Sequence, residues 1–296
     1  MNKNFQGLSL VLASSFCYAL TGILSKALLN SGLAPLFTVF LRNTGCAVVL
    51  GLVVFIINKK LFKVEIQDIK TIVFAGIVMF LYSAGYFFSL VYLDISIAII
   101  LLYTYPSMVV VASIFVFKEP ITKIIAIALG LTFFGIILTL NIFTATLGQI
   151  SFIGVLLALG AAVGAAAYAI TIKGITTKYS SFTITFYSFL CSAVGYTIML
   201  CFQPPQSLPT ATEALQISST IVPYILAFIF YARGLRFLTP GQVGIAASTE
   251  PGFGLILAAV FLGEILTVSQ ILGSIAIIAA VVLLQIFPST AKTAKN

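Results

Sequence analysis

The sequence predicts an all-α polytopic membrane protein with ten transmembrane helices, arranged as two inverted repeats of five helices each. Three observations support this prediction: the apolar composition, ten apolar stretches of membrane-spanning length, and an alignment of the chain with itself. Of the 296 residues, 61% are hydrophobic and 7% are charged, and the mean hydropathy is +1.20. A soluble domain carries roughly 25% charged residues, so the composition excludes a large soluble enzyme and a series of small soluble domains.

The apolar stretches match the roughly 20 residues that a helix needs to cross a bilayer. We predict spans at 7–29, 35–57, 71–92, 95–117, 121–141, 152–173, 182–202, 216–237, 240–262 and 267–287. The junctions at Asp94 and at Thr239-Pro240 are so short that each must join its two spans as a hairpin. The first span is too long and uninterrupted for a cleaved signal peptide, so we expect it to be retained.

The charged residues predict the orientation of these spans. Placing the N-terminus inside puts thirteen of the fifteen basic residues on the inner side: Lys3, Lys59, Lys60, Lys63, Lys70, Lys118, Lys123, Lys173, Lys178, Arg233, Arg236, Lys292 and Lys295. The outer loops carry only Asp94, Glu213 and Glu264. Because Lys and Arg are enriched in cytoplasmic loops, we predict a multi-pass protein of the cell membrane with both termini cytoplasmic. The net charge of +8 therefore reflects topology rather than nucleic-acid binding.

The four cysteines lie within or at the ends of spans, without metal-like spacing. They are typical of small apolar residues and indicate no disulfide framework. We expect neither a metal site nor a cofactor.

The chain aligns with itself across its middle, which divides it into repeats 1–147 and 148–296. A shift of 145 places Thr104-Tyr105-Pro106 on Thr249-Glu250-Pro251, and Tyr86 on Tyr231. Earlier in each half a shift of 147 places Gly7 on Gly154 and Lys26 on Lys173. Because each repeat has an odd number of spans, the second must enter the membrane from the opposite side. Inverted repeats are a recurring design of secondary transporters, although duplication is also simply a way to build a large membrane protein.

A proline lies at the centre of the fourth and ninth spans. Pro106 is the middle residue of 95–117, and Pro251 is the middle residue of 240–262. Proline removes a backbone donor and clashes with the preceding turn, so both helices should kink or open at the membrane centre. The alternative is a structural kink without a ligand, which a matched pair beside polar residues makes less attractive.

These residues resemble tandem EamA domains of the drug/metabolite transporter superfamily. The segments that carry the resemblance are 92–119 (YLDISIAIILLYTYPSMVVVASIFVFKE) and 237–264 (FLTPGQVGIAASTEPGFGLILAAVFLGE), each followed by a glycine- and alanine-rich helix. The Lys118-Glu119-Pro120 corner departs slightly from the family pattern. The resemblance implies a carrier of small organic metabolites, often an exporter of amino acids or related compounds, but identifies no substrate.

Glu250 is the principal candidate for substrate binding, because a charge at the membrane centre is costly and its functional use is the default hypothesis. It would act as a proton carrier or as the partner of a substrate amine; the alternative is an interhelical hydrogen bond or a structural pair with Arg42. Protons are thus a further expected partner, beside the small-molecule substrate and the lipid bilayer.

Arg42 and Lys26 are the basic residues inside the spans. Arg42 lies about 10 Å into its span and must find a carboxylate, carbonyls or water, unless it extends to the membrane surface. It would clamp a substrate carboxylate or balance Glu250. Lys26 is one turn from its helix end, so we expect it to extend to the outer interface.

Hydroxyl-bearing side chains form further candidates. Ser14, Tyr18, Thr21 and Ser25 share one face of the first span, which either lines a cavity or bonds a neighbouring helix. Aromatic rings with a hydroxyl suit organic cargo, which makes Tyr18, Tyr82, Tyr86, Tyr103 and Tyr105 candidate contacts. Ordinary helix packing is the competing explanation, since the chain has 12 Tyr and 26 Phe.

The leading prediction is a secondary carrier that works by alternating access. A membrane-embedded lipid-processing enzyme would need clustered acid, base or metal residues, and the sequence contains no histidine, HExxH motif or Walker A loop. A passive channel is a second alternative, which typically needs symmetric subunits or a ring of polar groups. A structural partner without transport activity would leave Glu250 unexplained.

Overall fold

The computed structural model describes residues 3–26, 33–93, 95–118, 122–139, 151–205, 207–263 and 265–286. The described part of the chain is helical. Its α-helices are α1 (Lys3–Lys26), α2 (Pro35–Ile57), α3 (Ile66–Ser89), α4 (Ile95–Leu102), α5 (Tyr105–Phe117), α6 (Lys123–Thr139), α7 (Phe152–Ile175), α8 (Ser181–Phe202), α9 (Ala211–Phe237), α10 (Pro240–Ala247), α11 (Glu250–Leu262) and α12 (Val268–Ile286). A short 3-10 helix, Lys59–Phe62, precedes α3.

The ten predicted spans each correspond to a helix or to a pair of consecutive helices. By length and composition, eight of these described segments can cross a membrane, and the regions of α6 and α12 contain two shorter apolar helices. The 17 residues of α6 extend about 26 Å, somewhat less than the hydrocarbon core of roughly 30 Å. The predicted roles of Asp94, Glu119, Glu264 and the C-terminal lysines fall outside the described residues.

Of the helices that begin earlier than the hydropathy predicts, α3 and α9 differ most, by five residues each. The predicted starts were 71 and 216, whereas α3 begins at Ile66 and α9 at Ala211. The added turns are polar, and the start of α9 is stabilised by a reciprocal capping box between Thr210 and Glu213. A capped polar turn is helical without being apolar, so a hydropathy window places the start too late.

The spans 95–117 and 240–262 are interrupted next to the prolines at which the sequence predicts a kink or an opening. Each consists of two helices separated by a two-residue turn, at Tyr103-Thr104 and at Ser248-Thr249. Both turns stay in the right-handed helical region, with φ −74° and ψ −15° at Thr104 and φ −73° and ψ −11° at Thr249. The proline that follows each turn interrupts the hydrogen-bond ladder. The chain therefore kinks at the two sites without unwinding.

Long helices from opposite halves of the chain pack in pairs. The pairs are α1 with α9, α3 with α7, α2 with α8, and α6 with α12. A methyl group on Gly7 of α1 would lie 2.7 Å from Leu238 Cγ, just after α9, and one on Gly154 of α7 would lie 2.6 Å from Leu93 Cγ, just after α3. Residues that the sequence alignment matched thus make matching contacts.

The basic residues gather at one end of the helix bundle, which we call the basic end. Among the described residues, every Lys and Arg other than Lys26 and Arg42 lies in a loop or terminal turn at this end. The ammonium of Lys178 bonds Glu65 Oε2 at 2.7 Å and Asp68 Oδ2 at 2.5 Å, and Tyr179 donates to Asp68 Oδ2 at 2.6 Å. This network connects the loop after α7 to the start of α3.

The broken spans cross closely near the basic end. There α5 packs against α10, and a methyl group on Gly244 would lie 3.3 Å from Cα of Pro106. Each residue of α10 is buried, whereas Glu250 to Leu255 of α11 are partly exposed. Along their described residues, α4 and α11 do not form a comparable packing at the opposite end. The bundle is therefore closed at its basic end and more open at the other.

Candidate functional site

Glu250 is the first residue of α11 and lies at the break in the ninth span. Its carboxylate interacts electrostatically with Tyr103, which occupies the corresponding break in the fourth span. The first turn of a helix has unpaired backbone N–H groups and a partial positive charge, which favours a carboxylate there. The two breaks thus bring a carboxylate and a phenol together in the interior of the protein.

Several predicted tyrosines surround this carboxylate. Electrostatic interactions link Glu250 with Tyr18, Tyr86, Tyr103 and Tyr105. Tyr103 is buried, but Glu250, Tyr18, Tyr86 and Tyr105 are partly exposed. Tyr18 faces the interior, because its ring contacts the buried rings of α9. The residues around the carboxylate therefore do not bury it completely.

A group of six contacting rings, which we call the aromatic cluster, forms one wall of this region. Its members are Tyr18, Tyr82, Tyr168, Phe189, Tyr224 and Phe228, and each ring centroid lies 5.0–6.3 Å from that of at least one other member. Edge-to-face geometry dominates, as aromatic pairs prefer. Two predicted residues, Tyr18 and Tyr82, therefore belong to a larger aromatic surface.

The sequence analysis missed most of this cluster. Tyr168, Tyr224 and Phe228 lie on α7 and α9, whose apolar sequences contain no charge near these positions. Tyr231 packs against the same buried core, and it could have been predicted from the sequence because it aligns with the candidate Tyr86 across the repeat. The others could not be predicted, since helical periodicity does not tell which face of α9 meets α1.

Arg42 lies inside the bundle, on α2. Its guanidinium carbon lies 4.2 Å from the centroid of the Tyr224 ring, and the two side chains also interact electrostatically. Arg42 Nε is buried and has no hydrogen-bond partner. The guanidinium is thus held against the aromatic cluster rather than extended to the membrane surface.

Arg42 and Glu250 do not form an ion pair. Among the described residues, the ion pairs involve Lys178 with Glu65 and Asp68, and Glu250 interacts with Tyr103 instead. Tyr224 contacts Arg42 and also interacts electrostatically with Glu250. The interior therefore contains a cation and a carboxylate that both interact with the same aromatic residue.

The hydroxyl stripe of α1 bonds helices rather than forming a continuous polar lining. Ser14 donates to the carbonyl of Ala227 on α9 at 2.7 Å, whereas Thr21 and Ser25 bond carbonyls of their own helix at 2.8 and 2.7 Å. Ser15, adjacent to the stripe, donates to the carbonyl of Ala247 on α10 at 3.2 Å. Helix packing explains these hydroxyls, and Tyr18 alone joins the aromatic cluster.

The two prolines differ in their surroundings. Pro106 is buried beneath Gly244, where α5 and α10 cross, and Pro251 is partly exposed beside Glu250. Over the described ranges, no group of three or more His, Cys, Asp or Glu side chains is arranged to hold a metal ion. What the interior offers chemically is charge pairing, proton exchange and aromatic contact.

Comparison with known proteins identifies the family. A model of the EamA-like transporter family matches residues 5–141 and 152–286, one match in each half of the chain. The chain belongs to the EamA-like transporter family. It is accordingly a multi-pass membrane transporter of small solutes in the drug/metabolite transporter superfamily.

The fold has solved counterparts. A structure titled "Crystal structure of protein" matches with a TM-score of 0.81 and 15% sequence identity, over 96% of this chain and 97% of the other. At this identity the likeness concerns the EamA fold alone. No curated protein matches the chain significantly.

Proposed function

We propose that this EamA-like protein is a secondary transporter that moves a small organic metabolite, an amino acid or related compound, by alternating access. The observation that carries the proposal is the position of Glu250, at the break of the ninth span, where it interacts with Tyr103 at the break of the fourth. Discontinuous helices that meet near the midplane are where secondary transporters bind their substrates. In this proposal Glu250, Arg42, Tyr18, Tyr82, Tyr86, Tyr103 and Tyr105 contact the solute.

The proposal takes residues 1–147 and 148–296 as inverted repeats. In its support, Thr104 and Thr249 each donate a side-chain hydrogen bond to the carbonyl three residues earlier, at 2.6 and 2.8 Å. The residues that follow α5 and α11, Lys118 and Gly263, both adopt the left-handed conformation. These pairs are separated by 145 positions, as the sequence alignment predicts.

Alternating access follows if the two repeats exchange conformations. α4 is then the counterpart of α10, and its residues Ser96 and Ile99 correspond to Gly241 and Gly244 of α10. In the proposed second state, α4 packs against α11 at the end opposite the basic residues, and α5 separates from α10. Glu250 is then accessible from the basic end.

We propose that the basic end is cytoplasmic, that both termini are cytoplasmic, and that the protein is in the cell membrane. The support is the positive-inside rule applied to the described basic loops. The closed basic end then makes this an outward-facing conformation. Export as the net direction rests on the family resemblance alone.

Glu250 also supports proton coupling. Asp68 and Glu213 lie in first turns at helix ends, so Glu250 is the carboxylate in the interior of the described spans. The chain has no histidine to serve as another proton carrier. A carboxylate that alternates between access to the two sides can carry a proton one way for each solute moved the other way.

Proteoliposomes with an imposed pH gradient test the proposal. We expect saturable solute counterflow, with gradient-driven accumulation lost in Glu250→Gln because the amide cannot exchange a proton. Glu65→Gln removes a carboxylate that is exposed at the basic end, and should behave as wild type. Solute flux that neither saturates nor exchanges would indicate a channel. Solute accumulation driven by the pH gradient in Glu250→Gln would contradict proton coupling through this residue.

A further inference from the structure

Arg42 is an interior cation whose hydrogen-bonding edge lacks an anion. One face of its planar guanidinium lies against Tyr224, with 4.2 Å between the guanidinium carbon and the ring centroid. Stacking on a face leaves the N–H groups, which point outward in the plane, available to a ligand. Nε, which lies on the edge that binds carboxylates side-on, is buried and has no partner.

Among the described residues, none forms an ion pair with Arg42. Cys46 of α2, Tyr196 of α8 and Tyr224 of α9 are the groups with which it interacts electrostatically, and all three are ordinarily neutral. A cation–π contact is worth about 2 kcal/mol when desolvated, whereas removing a charge from water costs several kcal/mol. A buried arginine without a charged partner is expected to pair with an anion that comes from outside the chain.

We propose that Arg42 binds the carboxylate of the transported solute, with Tyr224 as the residue that positions the guanidinium. This inference rests on the proposed transport function and specifies its substrate class: carboxylates with an apolar or aromatic body. Arginine offers two parallel N–H donors that match the two oxygens of a carboxylate, and Nε with one terminal nitrogen forms such a pair. The body of the solute then lies against the aromatic cluster, which begins at Tyr224 itself.

The position of Glu250 adds a second requirement. Because Glu250 interacts electrostatically with Tyr224 and forms no ion pair among the described residues, a solute amine is the complementary group. The selected solutes therefore carry a carboxylate at the Arg42 end and an amine at the Glu250 end. A solute without the carboxylate loses one of the two charged contacts.

Thermal unfolding of the purified full-length protein tests this assignment. The probes are the twenty common amino acids, each compared with its own carboxamide, which retains the amine and side chain but lacks the carboxylate. We expect at least one amino acid to raise the melting temperature, and its amide to bind at least ten times more weakly. Equal stabilisation by acid and amide, or stabilisation by none of the acids, would overturn the inference.

Arg42 variants assign the effect to this residue. Arg42→Gln should abolish the preference for the acid over the amide, and Arg42→Lys, which lacks the paired donors, should restore only part of it. Arg233→Gln, at the exposed basic end, is the matched control and should retain the preference. Because Arg42→Gln is at risk of misfolding, Tyr224→Phe provides a second variant, which keeps the ring and removes its hydroxyl group. This variant should weaken binding of the acid without affecting binding of the amide.

An inorganic anion is the other source of the same chemistry. Replacing chloride with methanesulfonate, which has no carboxylate, distinguishes the two in the absence of solute. Stabilisation by chloride that requires Arg42 and is not competed by the acids would reject the carboxylate assignment. Saturable uptake without a preference for acids would overturn this inference and leave the transport function standing. An absence of saturable uptake for every solute would instead contradict the transport function.

Discussion

The hydroxyl of Ser15 on α1 donates a hydrogen bond to the carbonyl of Ala247, the residue four positions before Pro251. This carbonyl is the one that a residue other than proline at position 251 would use in the helix ladder. The bond therefore satisfies the backbone group that the kink in the ninth span releases. It also ties α1 to the turn that presents Glu250.

Replacing Ser15 with alanine leaves this carbonyl without its donor. We expect Ser15→Ala to lower the free energy of unfolding by about 1 kcal/mol, the scale of one hydrogen bond in a membrane protein. Thermal unfolding in detergent measures the effect. Ser9→Ala removes an exposed hydroxyl that bonds its own helix, and should change stability much less; equal losses in the two variants would show that the kink does not depend on Ser15.

Lys118 and Gly263 make a matched pair for a backbone test. Both have positive φ, 53° and 68°, at the ends of α5 and α11. The left-handed conformation costs a residue with a side chain about 1–2 kcal/mol, and glycine avoids this cost. We expect Lys118→Gly to raise the melting temperature and Gly263→Ala to lower it. If Gly263→Ala is neutral, the helix ends are not held in this conformation in solution.

The crossing of α5 and α10 is sensitive to side-chain volume. A valine at position 244 meets the Pro106 backbone, which cannot move aside as a flexible side chain can. We expect Gly244→Val to reduce transport at least tenfold, because the basic end can no longer close. The control is Gly160→Val on α7, where an added methyl group meets nothing within 4 Å; transport should be retained there, and loss in both variants would indicate a general effect of valine.

The hydroxyl of Tyr103 can be removed without changing the ring. We expect Tyr103→Phe to reduce proton-driven transport about tenfold, because Glu250 loses the hydroxyl with which it interacts, while the protein remains folded. Uptake at different imposed pH gradients measures the change. Tyr92→Phe alters an exposed ring beyond α3 and serves as the control. Unchanged pH dependence in Tyr103→Phe would show that the Tyr103 hydroxyl is not needed for proton movement.

The network at the basic end has a defined pH dependence. Hydrogen bonds to Asp68 and then to Glu65 raise the pKa of Lys178 above its usual value. A raised folded-state pKa means that the stabilisation is present below the unfolded pKa near 10.4 and disappears as pH rises through the folded value.

We therefore expect wild type and Lys178→Gln to differ in melting temperature by a constant amount from pH 7 to 9, and to converge only in stronger alkali. The difference should be small and should shrink with salt, because the pair is exposed. Convergence near neutral pH would be inconsistent with a raised lysine pKa.

Hydropathy and charge predicted much of this structure. The predicted span 35–57 coincides with α2, and 182–202 differs from α8 by one residue. The start of α9 escaped prediction because its capping box stabilises a polar turn. Pro251 predicted that its helix would kink or open, but it did not predict which of the two occurs.

The candidate site was predictable to the extent that charge marks it. Glu250 and Arg42 stand out in an apolar sequence, and the structure places both in the interior. Whether they pair with each other depends on the direction of each side chain, which the spacing of residues in the sequence does not determine. In the structure Glu250 interacts with Tyr103, and Arg42 contacts Tyr224. Tyr224 in particular follows Pro223 in a long helix, and its role emerges only when α2 lies beside α9.

The exchange of packing partners between halves constrains biosynthesis. α1 packs against α9, α10 and α11, all of which are synthesised in the second half of the chain. α1 is therefore inserted before these packing partners, and Ser14 and Ser15 have no interhelical acceptors until α9 and α10 follow. Packing of the interior around α1 is thus a late event in assembly.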